Sequence, residues 1–466
     1  MADEFTPDQL AELDEPVAYL APEPTPCGRL IGCAGTGKSY MLGARMKADP
    51  NYGLLTATTG ISAVHIGAQT LNSTLKYFDT ASMRDILING ALAKRLHKIG
   101  KTYPRIIIEE YSMLDADALD ILKRGVDQAN TYKGVTRPLG ILLVGDLAQL
   151  PPVKARWCFE AASWPVFASA TEKLTKVWRQ ADGPFLDALN WARAGYGEAA
   201  VNHLRGLVPF ESQLDTEFDG TTILPKNRSV DNYNWDRLRR VPGEAFTLPA
   251  RRWGDQRPEW GQSKRTHEWG IPPQVELKVG AYVMLLANQP DHGYVNGDCG
   301  HVVGHIIPKP PYAEPGEREH LIVHLVREDR EVNVYPVVRS VSHTYEPYGW
   351  DGYDWTELGE DDDYYAWHPE PFHYKTGRED ERTDHYVTGQ IEHWPVRLAY
   401  ASTVHKSQSL TLDRVQVDFR DQFFGESAML YVALSRCRTM EGLRLVGDAA
   451  RFVKHCNVDR RVLPWI

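Results

Sequence analysis

Leu30-Ile31-Gly32-Cys33-Ala34-Gly35-Thr36-Gly37-Lys38-Ser39 is the stretch that decides the fold. The apolar run Gly28 to Ile31 reads as a short buried strand, and the residues through Met41 and Met46 read as the start of a helix. Between them the spacing is GxxxxGK[ST]. Glycines at these positions let backbone N–H groups wrap phosphate oxygens, and the helix start adds positive potential. Gly35, Thr36 and Gly37 are therefore the expected cradle. Lys38 is expected to reach the terminal phosphates, and Ser39 to hold Mg²⁺. A strand before the loop and a helix after it make this a nucleotide site rather than an ordinary glycine-rich turn.

A phosphate loop of this kind requires an acidic strand end beside it. Arg105-Ile106-Ile107-Ile108-Glu109-Glu110-Tyr111 supplies one, three isoleucines followed by paired carboxylates with no local cation to neutralise them. One carboxylate is expected to serve the metal and the next to take a proton from the attacking water. Glu109 is assigned the first task and Glu110 the second. A third element, Gly145-Asp146-Leu147-Ala148-Gln149-Leu150-Pro151-Pro152, follows the apolar run Ile141 to Val144. There Gln149 can sense the γ-phosphate while the two prolines stiffen the exit.

Outward from these motifs, the chain of 466 residues is too long for one core, and ~150 residues per domain suggests about three units. Hydrophobic residues make up 42% of it, a globular composition. No apolar run reaches the ~18 residues of a membrane span. The start MADEFTPDQL lacks the basic and apolar regions of a secretory signal. Six cysteines without CxxC spacing argue against a zinc site or disulfide framework, and for a reducing interior. The net charge of -10 is local: Glu346 to Asp384 holds 13 acids against 3 bases, which accounts for the whole excess. That aromatic, acidic stretch reads as a charged insertion; its histidines are too irregularly spaced for a metal site.

Up to about residue 240, apolar strand-like runs alternate with helical patterns such as Leu114 to Ala129, with Leu119, Leu122 and Val126 on one face. This is the pattern of an α/β domain with a parallel sheet. From about Val275 the texture turns to β, with short runs separated by Gly, Pro and Asn, before helix and strand patterns resume from Arg397.

Taken in order, GCAGTGKS, TATTGISAVHIGAQTLNSTL, IIIEEYSML, GDLAQLPPV, YASTVHKSQSLTLDRV and YVALSRCRT resemble the motifs of superfamily 1B DNA helicases of the phage Dda and RecD-like group. The resemblance runs from about Thr6 to Leu445. It implies an α/β fold of two RecA-like P-loop domains with an inserted pin and an inserted SH3-like β domain. The expected division is 1–175 for the first domain with the pin at about 76–104, 176–274 plus 388–466 for the second, and 275–387 for the β insert. The implied activity is ATP- and Mg²⁺-dependent movement on single-stranded DNA, 5′ to 3′, with unwinding of duplex in phage-type replication, recombination or repair.

Residue by residue, the resemblance gives Gln9 to adenine and Gln408 to the nucleotide cleft. It gives Arg179 and Arg436 to the γ-phosphate. Thr58, Thr59, Ser73, Pro152, Asn227, Thr403, His405 and Lys406 fall to the DNA strand. Implied partners are single-stranded and forked duplex DNA, with a single-strand-binding or replisome protein beside them and no membrane. An active monomer in a phage or bacterial host cytoplasm is expected.

Three positions depart from the family pattern: Glu109 replaces the usual Asp, Ser409 a Gly, and Asn72 a His. In the pin region, Asn89-Gly90 suits a hairpin turn, while Arg84, Leu87, Leu92, Arg95 and Leu96 suit two short helices equally well. A single-strand translocase that does not unwind and an ATP-gated clamp share these motifs. A simple P-loop kinase would not need Arg436 or a second α/β domain.

Overall fold

The computed structural model describes residues 27–178, 183–254, 271–308, 318–344, 372–376, 383–408 and 410–466. Gln9, Arg179, Ser409 and most of the acidic stretch 346–384 lie outside the described residues. The chain divides into two compact units, 1–233 with 400–466, and 234–399.

The first unit holds two parallel sheets. In the first sheet the strand order is Gln69–Thr70, Leu54–Ala57, Arg105–Glu109, Gly140–Gly145, Cys27–Ile31, Thr171–Lys173, and every pairing is parallel. Parallel strands buried on both faces need apolar residues at consecutive positions. Arg105–Glu109 shows why: Ile106 and Ile108 enter one core with Leu119, Leu122 and Val126, while Ile107 enters another with Met41 and Leu42 of the Lys38–Ala48 helix. Each strand therefore delivers its last residue to the same carboxyl edge, where ligands of such sheets bind. The second sheet orders Ala401–Thr403, Thr221–Leu224, Val415–Asp418, Leu443–Val446 and Phe210–Glu211, again all parallel. These are the two RecA-like lobes that the motif order implies.

Residues 76–104 form the helical alternative. Helices Thr80–Ile88 and Ala91–Thr102 meet at Asn89-Gly90, with Gly90 at φ 79. Asp79 accepts from the Ser82 amide and the Ser82 hydroxyl bonds back, a capping box that starts the first helix. Met83, Leu92 and Leu96 then close over the Ala116–Asn130 helix.

The second unit is antiparallel. A five-stranded sheet orders Arg330–Val334, His320–Leu325, Cys299–Ile306, Tyr282–Leu285 and Val396–Leu398. Its boundaries fall at Asn234 and Ala399, outside the expected 275 and 387. The reason is packing: Leu238 and Leu248 share a core with Val283 and Val302, and Val396–Leu398 pairs with Tyr282–Leu285.

Candidate functional site

The loop after Cys27–Ile31 turns on Gly35 and Gly37, at φ 84 and 80, where a side chain is strained. At Gly32 a Cβ would lie 2.6 Å from the Thr36 hydroxyl and 2.9 Å from the Leu174 carbonyl, so only glycine fits. Thr36 ties the turn by donating to the Cys33 carbonyl at 3.0 Å. Lys38 opens the following helix, and its Nζ donates to the carbonyls of Gly32 at 2.8 Å and Cys33 at 3.0 Å. Burial lowers the pKa of this ammonium, with Asp146, Glu110 and Glu109 opposing. Those two bonds hold the Lys38 ammonium against the loop that precedes it.

Glu109 ends its strand only 5% exposed. Its Oε2 accepts from the Ser39 hydroxyl at 3.3 Å, and its buried Oε1 has no hydrogen-bond partner. Burial, then the neighbouring Glu110, pushes its pKa up to about 7, against the opposing pull of Ser39 and Lys38. An orphaned buried carboxylate oxygen beside a serine hydroxyl at a phosphate loop fits a hard, oxygen-seeking cation such as Mg²⁺.

Glu110 has φ 54 and ψ 43, left-handed backbone that a non-glycine residue rarely adopts. The turn reverses the chain directly after the strand. The Thr58 hydroxyl donates to the Glu110 carbonyl at 2.8 Å, and the Thr58 amide to the Glu109 carbonyl at 3.2 Å. Thr58, assigned to DNA, thus also braces the acidic turn. From the second lobe, Gln408 Nε2 donates to Glu110 Oε2 at 3.2 Å and to Gln149 Oε1 at 3.1 Å. Glu110, Gln149 and Gln408, remote in sequence, therefore meet at one point; Gln149 is 4% and Gln408 2% exposed.

Arg436 is buried, and its guanidinium donates within the second lobe. Its Nε donates to the Val432 carbonyl, its two terminal nitrogens to the carbonyls of Ser407 and Leu410 and to the Ser435 hydroxyl. Thr59 accepts from the Ser62 amide at the start of Gly60–His65, and Thr403 from the Lys406 amide at the start of Val404–Ser407. Thr59 follows the Leu54–Ala57 strand and Thr403 ends the Ala401–Thr403 strand, each in its own parallel sheet. The Ser73 amide bonds the Thr70 side chain, His405 is exposed, Asn227 begins the Asn227–Arg240 helix, and Pro152 is buried.

Three residues at the site were not assigned from sequence. Asp146, 1% exposed, accepts both Nε and a terminal nitrogen of Arg193 at 2.9 and 2.8 Å, and also takes the Tyr431 hydroxyl. Two of them lie inside quoted motifs, Asp146 at a strand end and Tyr431 ahead of Arg436. Nothing in the sequence marks Arg193.

A family model described as an AAA domain matches residues 15–207. The ATP-dependent DNA helicase PIF1 of Homo sapiens is 31% identical over 454 residues, 93% of this chain and 60% of that protein. The ATP-dependent DNA helicase Pif1 of Bdellovibrio bacteriovorus is 28% identical over 445 residues, 94% of this chain and 87% of that one. The crystal structure of Pif1 helicase from Candida albicans superposes with a TM-score of 0.66 at 23% identity, covering 99% of this chain and 98% of that chain. This chain thus spans about three fifths of the human relative's length. Pif1 helicases are superfamily 1B proteins, the group that the ordered motifs indicate.

Proposed function

We propose that this chain, a superfamily 1B protein of the Pif1 type, is an ATP-dependent DNA helicase that moves 5′ to 3′ on a single strand and opens duplex DNA. The observation that carries the reading is the Gln408 amide bonded to both Glu110 and Gln149, which supports a coupling between the second lobe and the carboxylate proposed for hydrolysis. Hydrolysis then reports to the second lobe, and the lobes can step past one another.

In this account the amides from Gly35 to Ser39 cradle the phosphates, and Lys38 leaves the carbonyls of Gly32 and Cys33 to meet the terminal ones. Ser39 and Glu109 would hold Mg²⁺, which when bound neutralises phosphate charge. Glu110 accepts the proton of the attacking water. Gln408 fixes its carboxylate and is itself tied to Gln149, and the pair senses whether the γ-phosphate is present. Arg436, released from its carbonyls, and Arg179 spread cationic charge over the transferring group, an effect worth ~10³-fold or more. Gln9 contacts adenine. Thr58, Thr59, Ser73, Pro152, Asn227, Thr403, His405 and Lys406 hold the strand, the helical pair at 80–102 parts the duplex, and 234–399 includes the SH3-like element that encloses DNA.

The test is phosphate release with and without single-stranded DNA, followed by unwinding of forks with a 5′ or a 3′ tail. DNA-stimulated hydrolysis and opening of the 5′-tailed fork are expected. Hydrolysis without opening would favour a translocase, and nucleotide binding without hydrolysis a clamp.

A further inference from the structure

Asp146 is a buried carboxylate on which two residues from the second lobe converge. Arg193, at the end of the Pro184–Arg193 helix, forms two parallel bonds to it, and the Tyr431 hydroxyl of the Met429–Leu434 helix lies 3.4 Å from Oδ2. Those two helices pack on each other. On its far side the Tyr431 oxygen takes the backbone N–H of Ala34, in the phosphate loop, at 3.2 Å. The direction of these bonds is fixed by chemistry. Arg193 holds the Asp146 carboxyl below its usual range despite burial, so its oxygens only accept. Tyr431, 4% exposed, keeps its proton because burial and then Asp146 raise its pKa. The phenol must therefore donate to Asp146 and is left free to accept from Ala34.

A relay results: the Ala34 N–H to Tyr431, Tyr431 to Asp146, and Arg193 to Asp146 from the other side. One residue beyond Tyr431, the Val432 carbonyl receives Nε of Arg436. The same short helix is thus pinned to the phosphate loop at one residue and to the arginine at the next. A loop that reshapes around phosphate pulls on this helix through a single hydroxyl.

We infer that Asp146, Tyr431 and Arg193 form a latch between the lobes, and that Tyr431 is a positioning residue for ATP hydrolysis, acting through Ala34 of the phosphate loop and the helix that carries Arg436. The inference rests on the ATPase reading of the site. It separates binding from turnover: Tyr431 touches neither the cradle of amides at Gly35 to Ser39 nor Lys38, so nucleotide affinity survives its loss while the arginine is misplaced.

The experiment uses the full chain with Tyr431→Phe, which deletes one oxygen, and Arg193→Lys, which keeps the charge but loses the paired geometry. Steady-state hydrolysis with saturating single-stranded DNA gives kcat and KM, and titration with a fluorescent ADP analogue gives affinity. For Tyr431→Phe we expect kcat to fall about tenfold or more, the effect of one hydrogen bond to a charged group, with ADP affinity within about twofold of wild type. Arg193→Lys should show the same split, and the double variant should lose less than the product of the two single losses. A merely structural role would lower the melting temperature and leave kcat per folded molecule unchanged. That result in both variants, or fully multiplicative losses, would overturn the latch. Wild-type protein that turns over no ATP would instead overturn the reading of the site, and the latch as a catalytic device with it.

Discussion

Glu109 joins two conflicting demands at one residue, burial at the end of an isoleucine strand and a carboxylate beside the phosphate loop. Burial, then the neighbouring Glu110, pushes its carboxyl up to about 7 from the ordinary 4.5, so the folded protein keeps a proton that the unfolded chain gives up. That contribution to stability is fully present below about pH 4.5 and is lost as pH rises through 7, about 3 kcal/mol in all. Glu109→Gln should remove this part of the pH dependence in metal-free protein. Urea midpoints at pH 5 and pH 8 check it; a variant that loses as much stability as wild type between them contradicts the assignment. Because a cation and the proton compete for the same oxygens, Mg²⁺ should raise the melting temperature of wild type more at pH 8 than at pH 5.5. A shift equal at both would place the cation elsewhere.

At the scale of elements, the helical pair offers the sharpest test. Gly125 in Ala116–Asn130 has no room for a side chain: a Cβ would lie 2.8 Å from Leu92 and 2.9 Å from Leu96, both fully buried. Gly125→Ala should therefore cost about 1–2 kcal/mol, overpacking being partly offset by better helix propensity. A lowered urea midpoint with unchanged nucleotide affinity is expected; an unchanged midpoint would mean that the pair packs differently. The strands around this helix were legible, because apolar runs ending in Gly or an acid have one good home, a parallel sheet with its site at the carboxyl edge. The helical pair was not, because Asn89-Gly90 serves a hairpin turn and a helix start equally well. The deciding signal was Asp79 with Ser82 three residues on, a capping box without the usual Glu or Gln.

Across the whole molecule, what was hidden is what joins distant positions. Gln408 and Gln149 lie 259 positions apart, and Tyr431 and Asp146 lie 285 apart, so motif order could nominate Gln149 and Gln408 but could not show that they touch. Leu238 and Leu248 likewise look like part of any amphipathic segment until they are seen in the β core, which moves the boundary of the insert. The same long reach stabilises the first unit. Asp459–Ile466 returns to the first lobe, where Arg29 lies over Trp164 at 4.6 Å and Trp465 at 5.9 Å, Trp157 donates to Asp459, and Lys173 to the Ile466 carbonyl. Trp465→Ala should lower stability by about 2–3 kcal/mol, read from a denaturant curve, through lost packing and lost cation–π contact. No loss would show that this segment contributes nothing to the lobe. If Lys38, both glutamates, Gln149 and Gln408 act on one triphosphate, Glu110→Gln removes turnover and spares binding. Phosphate release with single-stranded DNA should fall at least about 100-fold while the same sample still binds ATP; turnover at the wild-type rate would contradict the account.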